Sequence, residues 1–189
     1  MTIVRFGFFN TSIRACGLAW RGDWLVGCQL PEGSDDDTRA RMRRRFPDAI
    51  DMGWIEARDP ADFVPGWVRI AAMRIEASLA GQNDDLTDLP LDLSSVAEFE
   101  RQVYAAARAI PYGLTVTYGE LARRIGAPGA ARAVGRALGR NPFAPIIPCH
   151  RILAAGARGG GFSAGGGVAT KLRMLVAEGA RFGPEPELF

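Results

Sequence analysis

Histidine is almost missing from this chain: 189 residues contain one, His150, beside only three cysteines, Cys16, Cys28 and Cys149. So few ligands do not make a His/Cys zinc site, and neither a metal nor a cofactor is expected. Three is an odd number, and Met1 to Arg5 lacks the charged-then-apolar order of a secretory leader. Reduced thiols are therefore expected rather than a disulfide framework. Long apolar runs are also lacking, since none approaches the roughly 20 residues that span a bilayer. That leaves a cytoplasmic protein with no membrane partner. The glycine-rich stretch 156–167 is not followed by Gly-Lys-Ser/Thr, which argues against a phosphate-binding loop.

With 48% hydrophobic and 23% charged residues, the chain can bury a good core as one large or two small domains. Short apolar runs at 3–9, 13–20 and 24–30, separated by Asn10-Thr11 and Gly22-Asp23, read as a small antiparallel sheet. If Arg21-Gly22-Asp23 is a three-residue loop, Cys16 and Cys28 fall opposite each other, close enough to bond; otherwise they are two small buried hydrophobes. Residues 34–46 have an acidic first turn and an arginine-rich end (Arg39, Arg41, Arg43, Arg44, Arg45), as a helix macrodipole favours. Those arginines form either a solvated face or a nucleic-acid contact. Trp67 to Leu79 reads as a second helix with Val68, Ala71, Ala72, Ile75 and Leu79 on one stripe, and Leu89 to Leu93 as a short strand. Nothing in residues 1–93 names a chemistry, so this unit reads as an α/β scaffold.

The pattern changes at Ser94-Ser95. Ser95 and Glu98 form a capping-box pattern, and Val96, Phe99, Val103, Ala107 and Ile110 repeat at helical spacing. Residues 94–182 therefore read as a second, mostly helical domain, with a frayed tail at 183–189, and the whole as an α+β fold. Pro111-Tyr112-Gly113 ends the first of these helices; Thr117 and Glu120 cap another, Tyr118 to Ile125; a third, about 130–139, follows after a very short turn. Two short helices joined this tightly outline a helix-turn-helix. On the second, Arg132, Arg136 and Arg140 share a stripe among Ala130, Ala131, Ala133, Gly135, Ala137 and Gly139. This is either a DNA-facing surface, making mostly phosphate contacts with little sequence preference, or a solvated stripe over an alanine-rich packing face.

Asn141-Pro142 stops that helix, and Pro148 fixes the backbone ahead of Cys149-His150. A thiol becomes a strong nucleophile as thiolate, which a nearby imidazole and positive charge promote. Sequence neighbours seldom face each other, so His150 would act through a bridging water, and the pair alone is compatible with a structural role.

Pro148-Cys149-His150-Arg151-Ile152, preceded by Asn141-Pro142 and the Arg132 helix, resembles the O6-alkylguanine-DNA alkyltransferase family. The likeness runs from about Phe99 to Ala180 and includes Ile110-Pro111-Tyr112-Gly113, Thr117-Tyr118-Gly119-Glu120, Ala131-Arg132-Ala133-Val134-Gly135 and Glu178-Gly179. Residues 1–93 match only in general layout. The resemblance implies a monomeric protein that flips an O6-alkylguanine out of duplex DNA from the minor groove and takes its alkyl group onto Cys149, once per molecule. It further implies that His150 is the base acting through water and that Glu178 orients it. Arg132 would replace the flipped base, Tyr118 would help rotate it and donate to guanine N3, and Asn141 would be the hinge. Arg136, Arg140, Ala131 and Gly135 would face DNA; Pro148, Ile152, Phe162 and Ser163 would line the alkyl pocket with Tyr118. Phe162 stands where tyrosine is more usual, and the glycine loop is about two residues longer. No obligate protein partner is implied. Two competing readings are a lesion sensor that does not transfer, against which Cys149 argues, and a Cys-His hydrolase, which would need turnover and an oxyanion hole.

Overall fold

The computed structural model describes residues 3–56, 63–155 and 166–180. β1 (Arg5–Phe9), β2 (Cys16–Arg21) and β3 (Trp24–Gln29) form antiparallel pairs as expected. The sheet is nonetheless mixed, because β4 (Ile50–Trp54) adds to the free edge of β1 in parallel, giving the order β3-β2-β1-β4. A run holding Asp51 and Gly53 is a poor strand by propensity; it is held by its neighbour, with an irregularity between Phe6 and Phe8 and with Gly53 in the left-handed region.

Both faces of the sheet are covered. Phe6, Phe8 and Ala19 meet Met42 of α1 (Asp35–Arg45) on one side. Cys16, Leu18 and Trp20, alternating with Ala19 along β2, enter the main core on the other. Gly17 lets α1 approach, since a Cβ there would lie 2.7 Å from Met42 Cγ. Ser34 caps α1; in its basic last turn Arg43 pairs with Asp51, as Arg39 does earlier in the helix, and Arg45 turns inward.

Three local expectations are corrected. The hairpin loop is two residues long, Arg21 facing Trp24, and a register shift between Ala19 and Trp20 sets Cys28 opposite Leu18; Cys16 and Cys28 are not bonded. Leu89 to Leu93 is not a strand but makes one bridge, Leu25 to Leu91. Ser95 does not cap the next helix. Asp92 takes the backbone N–H and hydroxyl of Ser94 in its own turn, and α3 (Glu98–Arg108) starts after Ala97 without a side-chain cap.

The main core joins α2 (Gly66–Leu79) and the inner face of the sheet to α3, α4 (Tyr118–Arg124) and α5 (Ala131–Gly139), and runs across residue 93 without a break. Val103, Tyr104 and Ala107 of α3 are buried there, and the Tyr104 hydroxyl donates to the Ala137 carbonyl at 2.9 Å, fixing α3 against α5. The expected capping box at Thr117 and Glu120 is fully formed. β5 (Val116–Thr117) and β6 (Ile152–Leu153) pair in parallel, which sets the start of α4 beside the segment following Cys149. Among the described residues no helix is long and apolar enough to cross a membrane.

Candidate active site

Cys149 is placed by a short, heavily constrained segment. Asn141, just past α5, accepts from the Phe143 N–H at 2.9 Å through Oδ1 and donates to the Ile147 carbonyl at 2.8 Å through Nδ2. One side chain thus ties both ends of the 143–147 segment, and the Cys149 N–H returns to the Ile147 carbonyl at 2.8 Å. Cys149 to Arg151 then make a single 3₁₀ turn that points His150 and Arg151 into the protein. The thiol itself reaches the floor of an open cleft of about 860 Å³, lined also by Tyr118, Ala131, Arg132, Gly135, Ala154 and Ala155. This is room for a nucleobase.

Behind the thiol lies a buried charge network. His150 Nε2 is 2.8 Å from Glu178 Oε1. Glu178 ends α6 (Gly167–Ala177) as its C-cap. The same carboxylate accepts from Arg151 Nε at 3.0 Å and from the Gly113 N–H at 3.1 Å. Gly113 sits at φ 75°, so the Pro111-Tyr112-Gly113 turn does more than end a helix: it aims a backbone donor at Glu178. Arg151, itself buried, also donates to Asp85 and to the Ile110 carbonyl and lies over the Tyr112 ring.

The protonation states follow from these contacts. Burial alone would raise Glu178, but the hydrogen bonds and charges of His150 and Arg151 outweigh it and hold the carboxyl at about 2. An ionised carboxylate only accepts, so His150 Nε2 must carry the proton. Burial lowers the His150 pKa against the pull of Glu178, which keeps the ring neutral near pH 7. Nδ1 is then an unprotonated lone pair, and among the described residues it has no hydrogen-bond partner. Burial also raises the Cys149 thiol, opposed by Asn141 and Lys171, so the resting group is the thiol.

Lys171 is a residue that sequence reasoning missed, although a signal was available: it is the only lysine in the chain. It is fully buried, donates to the Ile152 carbonyl at 2.6 Å and sits 5.8 Å above the Tyr118 ring; burial lowers it to about 8. Arg123, Ala154 and Ala155 in the cleft wall, and Arg151 in the network, were likewise not singled out.

Of the expected site residues, Cys149, Tyr118, Arg132, Ala131 and Gly135 meet in one cleft, with His150 and Glu178 directly behind the thiol. Arg136 is exposed on the same helix, while Arg140 is drawn to Glu100 at 2.8 Å. Pro148 and Ile152 are buried and do not line the cleft: Ile152 is committed to β6, and Pro148 precedes the inward turn. Phe162 and Ser163 lie outside the described residues.

Comparison with known proteins gives the family. Residues 98–180 match the 6-O-methylguanine DNA methyltransferase DNA-binding domain. A methylated-DNA–protein-cysteine methyltransferase of Mycobacterium leprae is 46% identical over 162 residues, covering 85% of this chain and 84% of the relative. One of Mycolicibacterium paratuberculosis is 41% identical over 141 residues, covering 75% and 79%. The crystal structure of Mycobacterium tuberculosis OGT in complex with DNA superposes with a TM-score of 0.69 at 33% identity, covering 92% of each chain. The chain belongs to the methylated-DNA–protein-cysteine methyltransferase family, whose members repair DNA by transferring an alkyl group to one of their own cysteines.

Proposed function

We propose that the protein removes the alkyl group from O6 of guanine in duplex DNA and keeps it on Cys149, each molecule acting once and without a protein partner. The observation that carries this reading is a thiol opening into a nucleobase-sized cleft, with a neutral, carboxylate-anchored imidazole behind it and an exposed arginine and a tyrosine on its rim.

In the proposed sequence α5 lies in the minor groove, where its alanines and glycines allow close approach and sequence is read weakly. The lesion leaves the stack, at a cost lowest for a badly pairing base. Arg132 fills the gap, and Arg136 and the helix surface hold phosphates. His150 Nδ1 takes the Cys149 proton through a water. The thiolate attacks the alkyl carbon, forming the S–C bond as the C–O6 bond breaks and its electron pair passes to guanine. Tyr118, whose pKa burial raises and so keeps it protonated, donates to guanine N3 and eases departure of the base. The product is a thioether, which nothing in the site can cleave; this accounts for single use. Phe162 and Ser163 remain the proposed wall of the alkyl pocket. A reaction confined to reduced thiols suits the cytoplasm.

Mixing the protein with a duplex bearing one O6-methylguanine is expected to place one methyl on the Cys149 peptide by mass spectrometry. Unmodified protein that still binds the lesion would favour a sensor, and repeated turnover a hydrolase. Arg132 offers a second check. Arg132→Ala should slow transfer from duplex DNA about tenfold or more, the order of a lost contribution to base extrusion, while reaction with free O6-benzylguanine changes less than about twofold. Equal losses on both substrates would end the role of Arg132 in flipping.

A further inference from the structure

The N-terminal unit holds the corner from which the acceptor segment hangs. β3 does not stop at Gln29 in its contacts: the Cys28 N–H donates to the Pro142 carbonyl at 2.9 Å, and Cys28 bridges to Phe143 as a parallel strand would. Arg45, the last residue of α1, reaches the same carbonyl. Its Nη2 donates to Pro142 O at 2.9 Å, and its Nη1 donates to the Cys28 carbonyl at 3.3 Å and to Gln29 Oε1 at 3.1 Å. Pro142 O therefore accepts two hydrogen bonds from a stretch of chain about a hundred residues away, one of them from a guanidinium. Charge-assisted bonds of this kind are stronger than neutral ones, and the planar fork fixes direction as well as distance.

Asn141 immediately precedes that corner. Its side chain spans Phe143 to Ile147, and the Ile147 carbonyl receives the Cys149 N–H. The sequence of contacts is Arg45 to Pro142, Asn141 to Ile147, Ile147 to Cys149. Beside Arg45 lies an open groove of about 200 Å³ lined by Arg41, Arg140, Asn141 and Pro142, so water reaches this corner once the guanidinium is gone. Of the five arginines near the end of α1, Arg39 and Arg43 are spent on Asp51, and Arg45 hydrogen-bonds the acceptor side.

We infer that Arg45 is a positioning residue for alkyl transfer, fixing the Asn141-Pro142 corner so that Cys149 meets the alkyl carbon in line. The inference rests on Cys149 being the acceptor. Small displacements of a reacting atom cost large factors in rate, whereas a bond serving only to join two halves of the protein would alter melting and nothing else.

The test uses full-length protein and single-turnover transfer at saturating lesion duplex, well below the melting temperature, beside transfer from free O6-benzylguanine. Arg45→Met is expected to lower both maximal rates about tenfold with duplex affinity unchanged, and Arg45→Lys, which keeps one charged donor but no fork, to fall about threefold. Val68→Ala is the control: Val68 is fully buried on α2, away from the helix that carries Arg45, so this variant should lower the melting temperature without slowing transfer. Parental rates in Arg45→Met, a loss confined to duplex affinity, or an equal slowing in Val68→Ala would each overturn the inference. Should Arg45→Met not fold, a parental rate in Arg45→Lys would do so. Failure of the acceptor assignment would look different, as an unmodified Cys149 in the parent protein.

Discussion

Cys149→Ser is expected to abolish alkyl transfer while leaving affinity for a lesion-bearing duplex within about twofold of the parent, because the change removes the nucleophile and almost nothing else. The hydroxyl is close in size to the thiol, so the cleft keeps its shape and Arg132 and Tyr118 keep their places. The chemistry changes steeply. A thiol needs only modest help to ionise and is a strong nucleophile once it has, whereas a neutral imidazole with a depressed pKa is far too weak a base to strip a hydroxyl unaided. No other thiol can substitute. Cys16 and Cys28 are buried in the core, burial raising the first well above its usual value and the second to about 12. Mass spectrometry of the treated variant, with anisotropy on labelled duplex, decides it. A methyl group elsewhere on the variant would remove Cys149 as the acceptor, and loss of binding would mean that the substitution disturbs more than the nucleophile.

How legible this site was in the sequence depended on whether its parts were local. The box at Thr117 and Glu120 was readable because both bonds close within one turn, and the structure forms it. The pattern at Ser95 and Glu98 looked equivalent and failed: the helix starts after Ala97, and Asp92 holds Ser94 in a turn ahead of it. β4 could not be seen at all: Ile50 to Trp54 become a strand only because β1 offers a free edge. In the site, the Cys149-His150 pair and the Arg132 stripe were visible in the residues, and the resemblance added Tyr118 and the role of each. Arg151 was in plain view inside the same motif, yet nothing local says that its side chain turns inward to share Glu178, a contact across 27 positions. Arg45 was one of five arginines that sequence alone could not distinguish, and its partner is 97 positions away. Resemblance supplied roles for residues, Glu178 as the partner of His150 among them; it did not supply the charge of Arg151 and the Gly113 N–H that hold that carboxylate.

Glu178→Gln tests those charges and should be costly in two separate ways. The first is stability. The substitution leaves Arg151, 3% exposed, with Asp85 and the Ile110 carbonyl but without its buried counter-ion. Losing one partner of a buried pair costs on the order of 3–5 kcal/mol, and chemical denaturation should show it. The parent's acid sensitivity gives an independent measure. A carboxyl held at about 2 in the folded protein and near 4.5 when unfolded contributes its full stability above pH 4.5 and loses it as pH falls towards 2. At about 1.4 kcal/mol per unit, this amounts to about 3 kcal/mol, and the acid limb of the stability profile should be shallower by that amount in the variant. The second loss is catalytic. Glutamine can offer its amide N–H to His150 Nε2, which makes Nε2 the acceptor and moves the ring proton to Nδ1, the atom that must receive the proton from Cys149. The base is then present but in the wrong tautomer, so transfer from free O6-benzylguanine should fall by about 10²–10⁴-fold even in buffers where the variant is fully folded. A stable, folded variant with a near-parental rate would show that Glu178 supports the fold through Arg151 alone and that His150 needs no carboxylate to present Nδ1.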